Sequence, residues 1–263
     1  NAMNFRRIVF FLSILYFTNH VSAQDSIMIK NQLKLEIGIN LNQKVHIYDQ
    51  PAEDYLSPIP SVGGNFSVYY YRYLGKGFGI QAGIGFTYHP HAFRITNDTL
   101  KQYLPAVYYS VTNEDFYFQV PVSVNYLVKI NPRLFFDINA GYMASLGPSY
   151  SYTGHVQGHF EQNDTLWSLL QIGCGTSYAY NSNLFLKLGI QRTTKYFHTY
   201  GFHLVLNGAI MHKNVGEFEF SNLEKIKLND HNPSGKFYKY FNYIGLNFNY
   251  GFRLDKKNQL VPW

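Results

Sequence analysis

Charged residues are scarce: they make up 14% of the 263-residue chain, against roughly 25% in an ordinary soluble domain, so a charged surface is not what keeps this protein dispersed. Cysteine is nearly absent. The single Cys174 excludes an intramolecular disulfide framework, and its distance from Ala23 denies it the leading position that a lipid-anchored export signal needs. Long apolar runs are also lacking. Beyond the N-terminal segment no stretch has the ~18 consecutive apolar residues of a membrane-spanning helix, so any crossing of a bilayer has to be made by strands.

The N-terminal segment has its own pattern. Asn1-Ala2 precede Met3 and read as an expression scar, followed by the basic Arg6-Arg7, an apolar run Ile8 to Phe17, and Val21-Ser22-Ala23 with small residues at a cleavage position. Ten apolar residues are too few to span a bilayer of ~30 Å as a helix, so a cleaved signal peptide over 1–23 is expected, with one domain over 24–263. Without Arg6 and Arg7, 20 basic residues face 16 acidic ones. A mature charge of +4 gives no argument for nucleic acid.

What the chain has in quantity is period-two alternation. Eight segments show it: 33–41, 62–74, 78–88, 116–128, 134–142, 170–178, 184–190 and 244–252. In the first, Leu33, Leu35, Ile37, Ile39 and Leu41 alternate with Lys34, Glu36, Gly38 and Asn40. The Tyr69-Tyr70-Tyr71 run leaves the parity of the second segment open. Long connections are expected at 43–61, 90–114, 149–165 and 195–239, and short ones at 75–77, 130–133 and 181–183. Sorting long and short connections to opposite rims is the pattern of an outer-membrane barrel, with tight periplasmic turns and long external loops. The connection 195–239 contains GFHLVLNGAIM and EFEF, which either extend the wall as a hairpin or add two strands, making ten.

The composition of the polar face selects the membrane over a lipocalin-like carrier. It is mostly Gly, Asn, Gln and Ser, whereas a water-facing exterior is rich in Lys and Glu; small polar residues suit the narrow interior of an eight-stranded barrel. The 24 Tyr and 22 Phe then fit aromatic girdles at the two interfaces. The expected fold is all-β, an eight-stranded antiparallel up-and-down transmembrane β-barrel with long external loops and short periplasmic turns, in the bacterial outer membrane. Its lumen should hold a polar network of Glu36, Asp137, Lys187 and Arg253, with Arg72 as a further candidate. Charges cut off from bulk water are expected to pair, and a structural network filling the barrel is favoured over a gate or ion path. Pro121 sits inside the fourth strand without an N–H to give, and a local bulge is expected there.

The run Tyr117-Phe-Gln-Val-Pro121-Val-Ser-Val-Asn-Tyr126, the turn at Asn131-Pro132 and Phe136-Asp-Ile-Asn-Ala-Gly141 resemble the PorT-like outer-membrane β-barrel family of Gram-negative bacteria, over roughly Leu35 to Leu254. The resemblance implies an eight-stranded barrel in which the fourth-strand proline recurs, and its founding member is associated with protein secretion. Gly245, Phe248 and Tyr250 in the last strand resemble the glycine-plus-aromatic assembly signal read by the barrel-assembly machinery.

Candidates for chemistry are few. The mature histidines 46, 89, 91, 155, 159, 198, 203, 212 and 231 are read as lying in external connections or at strand ends. His89-Pro-His91 and His155-x3-His159 could offer paired imidazoles to a metal, but no cysteine or ordered scaffold supports them, and neither a metal nor another cofactor is expected. Ser145, Ser149, Ser151 and His155 cluster near one rim without the spaced acid that an activated serine needs. The expectation is a non-enzymatic barrel acting through external loops or as a subunit of a membrane or secretion assembly. Its partners would be outer-membrane lipid, lipopolysaccharide, the barrel-assembly machinery and secretion-system proteins. The alternative is a lipid-modifying enzyme at the external rim.

Overall fold

The computed structural model describes residues 27–48, 55–102, 110–147, 152–159, 166–175, 180–211, 214–223, 233–255 and 261–262; the expected export signal lies outside them. In chain order the strands are β1 (Ile27–Met28), β2 (Asn31–Asn42), β3 (His46–Ile47), β4 (Leu56–Ile59), β5 (Ser61–Gly75), β6 (Phe78–Tyr88), β7 (His91–Ile95), β8 (Ser110–Asn113) and β9 (Phe116–Asn131). Then come β10 (Leu134–Leu146), β11 (Tyr152–His159), β12 (Leu166–Gly175), β13 (Tyr180–Thr193), β14 (Thr199–Met211), β15 (Asn214–Phe220), β16 (Ser234–Lys239), β17 (Tyr243–Arg253) and β18 (Val261–Pro262). Among the described residues a short helix, α1 (Asp98–Gln102), follows β7.

Eight of these strands close on themselves. Taken along the chain, β2, β5, β6, β9, β10, β13, β14 and β17 each pair antiparallel with the next, and β17 pairs with β2. Closure removes the open edges of the sheet, so the strands satisfy one another's backbone polar groups as a hydrocarbon environment requires. The outward row is apolar and bare, with Ile37 at 60% exposure, Ile39 at 63% and Leu246 at 61%. The inward row is polar and buried, including Asn40, Ser67, Gln81, Asn125 and Asn139. A continuous apolar belt of this kind is stable only against lipid. The protein is an integral outer-membrane β-barrel.

The tight turns carry their own chemistry. Gly75, Lys76 and Gly77 all have positive φ, at 111°, 53° and 83°, which lets a two-strand reversal follow the right-handed twist. At the next turn Asn131 Oδ1 accepts the N–H groups of Arg133 (3.0 Å) and Leu134 (2.9 Å), an Asx turn. The third turn lies at 194–198, where the Thr194 N–H donates to the His198 carbonyl (2.8 Å) and Thr194 Oγ1 accepts the His198 N–H (3.1 Å).

The strand inventory differs from the expected one in its sixth and seventh members. Residues 166–175 form β12, which lies outside the barrel in a five-stranded sheet ordered β11-β12-β15-β16-β3. The sixth wall strand is β13, which runs straight through the Asn181-Ser182-Asn183 segment expected to turn, and the seventh is β14, inside the supposed long connection 195–239. Buried Leu170 explains the first error, because alternation marks an apolar face whether it meets lipid or another sheet. Inward-facing Val205 blurred the alternation of β14. Eight strands rather than ten form the wall.

Pro121 produces no bulge. Its pairing with Met143 of β10 continues in unbroken register. Toward β6 the pairs Ala82↔Val122 and Gly85↔Gln119 keep one register while Gly83 and Ile84, which face Pro121 and Val120, go unpaired. The missing N–H is accommodated by a two-residue opening of one ladder, with no residue inserted.

Outside the wall, β4, β7 and β8 form a three-stranded sheet. Together with the five-stranded sheet and α1 it encloses a core of Leu56, Phe93, Ile95 and Leu100 against Leu170, Phe218, Phe220 and Phe237. Phe93 and Phe237 meet edge to face at 4.9 Å, the geometry that ring quadrupoles favour. All of these strands lie in the four long connections, at the end opposite the tight turns. The long loops therefore fold together as a cap.

Candidate functional site

The middle of the lumen holds two cations and two anions among the described residues. β13 supplies Lys187, whose Nζ donates to Glu36 Oε1 of β2 (2.5 Å) and to Tyr69 Oη of β5 (3.1 Å). The same carboxylate oxygen accepts from Asn247 Nδ2 at 2.8 Å. Both ion-pair side chains are about 5–6% exposed, so neither can fall back on water and each depends on the other. Lys34 Nζ donates to Gln191 Oε1 (2.9 Å) and lies 4.1 Å from the centre of the Tyr71 ring. Asp137 completes the charge balance. It accepts from Asn125 and stands 2.9 Å from His203 Nε2. Asn249 Nδ2 lies 2.9 Å from His203 Nδ1; with that amide donating, Nδ1 accepts and Nε2 is left to donate to Asp137.

Apolar layers close this network on both sides. Toward the cap lie Tyr117, Met143, Phe185, Val205, Phe241 and Tyr243; toward the tight turns lie Tyr71, Tyr73, Leu127 and Phe135. Tyr71 fits because Gly79, diagonal to it on β6, has no side chain; a Cβ there would lie 2.5 Å from its ring. The remaining cavity among the ionic side chains is ≈ 10 Å³, room for about one water. Between these layers the described side chains leave little room for water.

Of the expected network, Glu36, Asp137 and Lys187 are brought together, and Lys34, Tyr69, His203 and Asn247 join them. Arg253 does not: it ends β17 at the tight-turn rim, with its guanidinium 5.3 Å from the Phe197 ring. Arg72 has outward parity on β5 and is exposed, so it faces away from the lumen. Lys34 could have been read from its spacing of two from Glu36. His203 could not, because its segment reads as part of the long connection 195–239 with no wall position assigned.

A second buried ionic cluster joins the barrel to the cap. Asp115, just before β9, accepts from Lys239 at the end of β16 and lies 3.2 Å from His91 Nε2 of β7. His89 packs on Phe241 with ring centres 4.3 Å apart, and both imidazoles are almost fully buried. Burial, with the Lys239 ammonium beside it, pushes His91 down to about 4. Burial of Asp115 opposes its ionisation, but the hydrogen bond with His91 and the Lys239 charge prevail and hold it down at about 2. The cluster is thus a neutral imidazole beside an ionised carboxylate and an ammonium. Among the described residues no group of three or more His, Cys, Asp and Glu is placed to hold a metal.

This arrangement sets a pH window. Both folded-state values are depressed, so the unfolded segment binds protons that the folded one resists, and stability falls with pH. The loss begins as pH drops below ~6.5 and is complete for His91 near pH 4, a shift worth on the order of 3 kcal/mol; Asp115 adds a further loss below ~4. Protease resistance of the cap should therefore decline between pH 7 and 4.5, and a His91→Gln variant should lose much of that decline. A cap equally resistant at both pH values in the wild-type protein would contradict the assignment.

The remaining candidates are dispersed. Ser145 is buried on β10, Ser149 and Ser151 lie outside the described residues, and His155 and His159 fall on β11 with side chains that are not described. Gly245, Phe248 and Tyr250 lie on the last wall strand, β17, where Gly245 backs onto Asn40 and Phe248 faces outward against Phe202 at 5.1 Å.

No family model and no curated protein sequence matches the chain. Among solved structures it is similar to the outer membrane protein OprG from Pseudomonas aeruginosa, with a TM-score of 0.48 and 7% identity over 88% of this chain and 100% of that one. It is also similar to outer membrane protein AlkL in DMPC bilayers, at 0.40 and 9% over 90% and 96%. A third is Ail, the attachment invasion locus protein of Yersinia pestis, at 0.30 and 10% over 85% and 100%.

Proposed function

We propose that the protein is a non-enzymatic, non-conducting outer-membrane barrel that serves as a rigid mount for its external cap, and that the cap is the binding surface. The observation that carries this reading is the cap's own core: Leu56, Phe93, Ile95, Leu100, Leu170, Phe220 and Phe237 are all fully buried. Loops that only connect strands do not bury such a set. The PorT-like resemblance of strands β9 and β10 supports a place in a secretion-linked or other membrane assembly, with the cap or its external surroundings, lipopolysaccharide included, as the contact. Insertion by the barrel-assembly machinery through Gly245, Phe248 and Tyr250 belongs to the same reading.

The test is photocrosslinking in intact cells from cap positions such as Tyr48, which is 67% exposed, and Lys236. The expected result is a discrete adduct with one surface partner or with lipopolysaccharide, while the lipid A mass profile of cells with and without the protein stays the same. A changed lipid A profile would instead favour an enzyme at the external rim. No adduct from any cap position would remove the binding role.

A further inference from the structure

Charge is segregated along the barrel axis. At the tight-turn end Lys76, Arg133 and Lys195 occupy the three turns and are exposed, and Lys30 and Arg253 flank the first and last wall strands. The acid at this end among the described residues is Asp255, which is buried and already accepts the backbone N–H and side-chain amide of Asn31 at 2.5 and 2.6 Å. Among the described residues, none of the exposed cations here has a carboxylate within ion-pair reach. Glu217, by contrast, meets Lys236 in the cap, and Asp98 meets Lys101.

Two arginines turn this rim toward lipid. Arg72 continues the outward row of β5 below Tyr70, and Arg192 continues that of β13 below Ile190. Each therefore projects from the outer face near the foot of the apolar belt, where an arginine can lay its aliphatic stem along the wall and keep its guanidinium among headgroups. Arg192 pairs in register with Leu134. Arg133 and Arg192 then flank an open concavity of ≈ 520 Å³ whose remaining wall is Asn131, Pro132 and Leu134. Two arginines lining one concavity beside Pro132 and Leu134 suit a phosphate diester with its glycerol. A protein docking along the barrel axis would not need cations directed sideways into the bilayer boundary.

We propose that this rim is a docking surface for anionic phospholipid headgroups of the leaflet it meets, with Arg133 and Arg192 as the principal phosphate-binding pair. The inference rests on the membrane barrel and is independent of the cap's role. Each basic residue near an anionic lipid surface changes affinity by roughly fivefold. In native mass spectrometry of the detergent-extracted protein, the wild type should retain phosphatidylglycerol over phosphatidylcholine, and raised salt should reduce that preference. An Arg133→Gln/Arg192→Gln variant that still shows the heat-modifiable barrel should lose roughly 25-fold in phosphatidylglycerol retention. An Arg133→Lys/Arg192→Lys variant should keep most of it, and a Lys101→Gln/Lys236→Gln change in the cap should leave it unaltered. Equal retention of the two lipids by the wild type would overturn the proposal, as would a glutamine variant that retains phosphatidylglycerol undiminished. So would a photocrosslinker at position 133 that captures a protein and no lipid in cells.

Discussion

Replacing Lys187 with alanine is expected to destabilise the barrel by ~3–5 kcal/mol, the largest effect of any single lumen change. The loss comes from what is left behind. Glu36 would keep its place between Asn247 and Tyr69 but lose the ammonium 2.5 Å away, and no bulk water can reach it through the aromatic layers above and below. A Glu36→Gln/Lys187→Met double variant removes both charges at similar volume and should recover most of the loss, since a buried pair is often close to neutral against an uncharged replacement of similar volume. Urea titration of the refolded barrel in detergent, followed by its heat-modifiable migration, measures both. Equal losses for the single and double variants would mean that the lumen is wetter than its packing indicates.

The second large effect is expected in the cap. Phe93→Ala removes a fully buried ring that meets Phe237 across the two external sheets, and truncations of this type cost ~3–5 kcal/mol. Because β7 makes no ladder with the wall, the loss should fall on the cap alone. Protease added to intact cells should cut the cap readily while the extracted barrel still migrates as a compact species until boiled. If the variant barrel loses that compact form as well, cap and wall fold as one cooperative unit and the mount-and-cap division fails.

The wall was legible wherever each face had one chemical character. Ile37, Ile39 and Leu41 against Glu36, Gly38 and Asn40 encode lipid on one side and a packed lumen on the other, and β2, β6, β9, β10 and β17 follow from such pairs directly. Legibility failed where a face changed partners. Val205 is apolar and inward because it joins the layer around Phe185 and Tyr243, so from sequence β14 falls inside a long connection, as a hairpin or as added strands, and His203 among the histidines of the connections. Leu170 is apolar because it meets Phe218 and Phe220, so β12 carries the alternation of a wall strand without being one.

The site divides in the same way. Glu36, Asp137 and Lys187 stood out as charges on a polar face, and their pairing follows from closure of the barrel. The Asp115, His91 and Lys239 cluster could not be seen, because its members come from three separate connections and meet only once the cap has folded. Tyr71 marks the middle case: its parity is open within the Tyr69-Tyr70-Tyr71 run, and Gly79 on β6, whose missing side chain makes room for its ring, is the available clue.

The most direct test of a sealed barrel is electrical. Purified wild-type protein, shown to be folded by its heat-modifiable migration and inserted into a planar bilayer in 1 M salt, should give a quiet baseline with no conductance steps across the usual voltage range. Reproducible ohmic steps from the folded wild-type protein would show an open path through the lumen and contradict the reading of a packed barrel that exists to hold its cap.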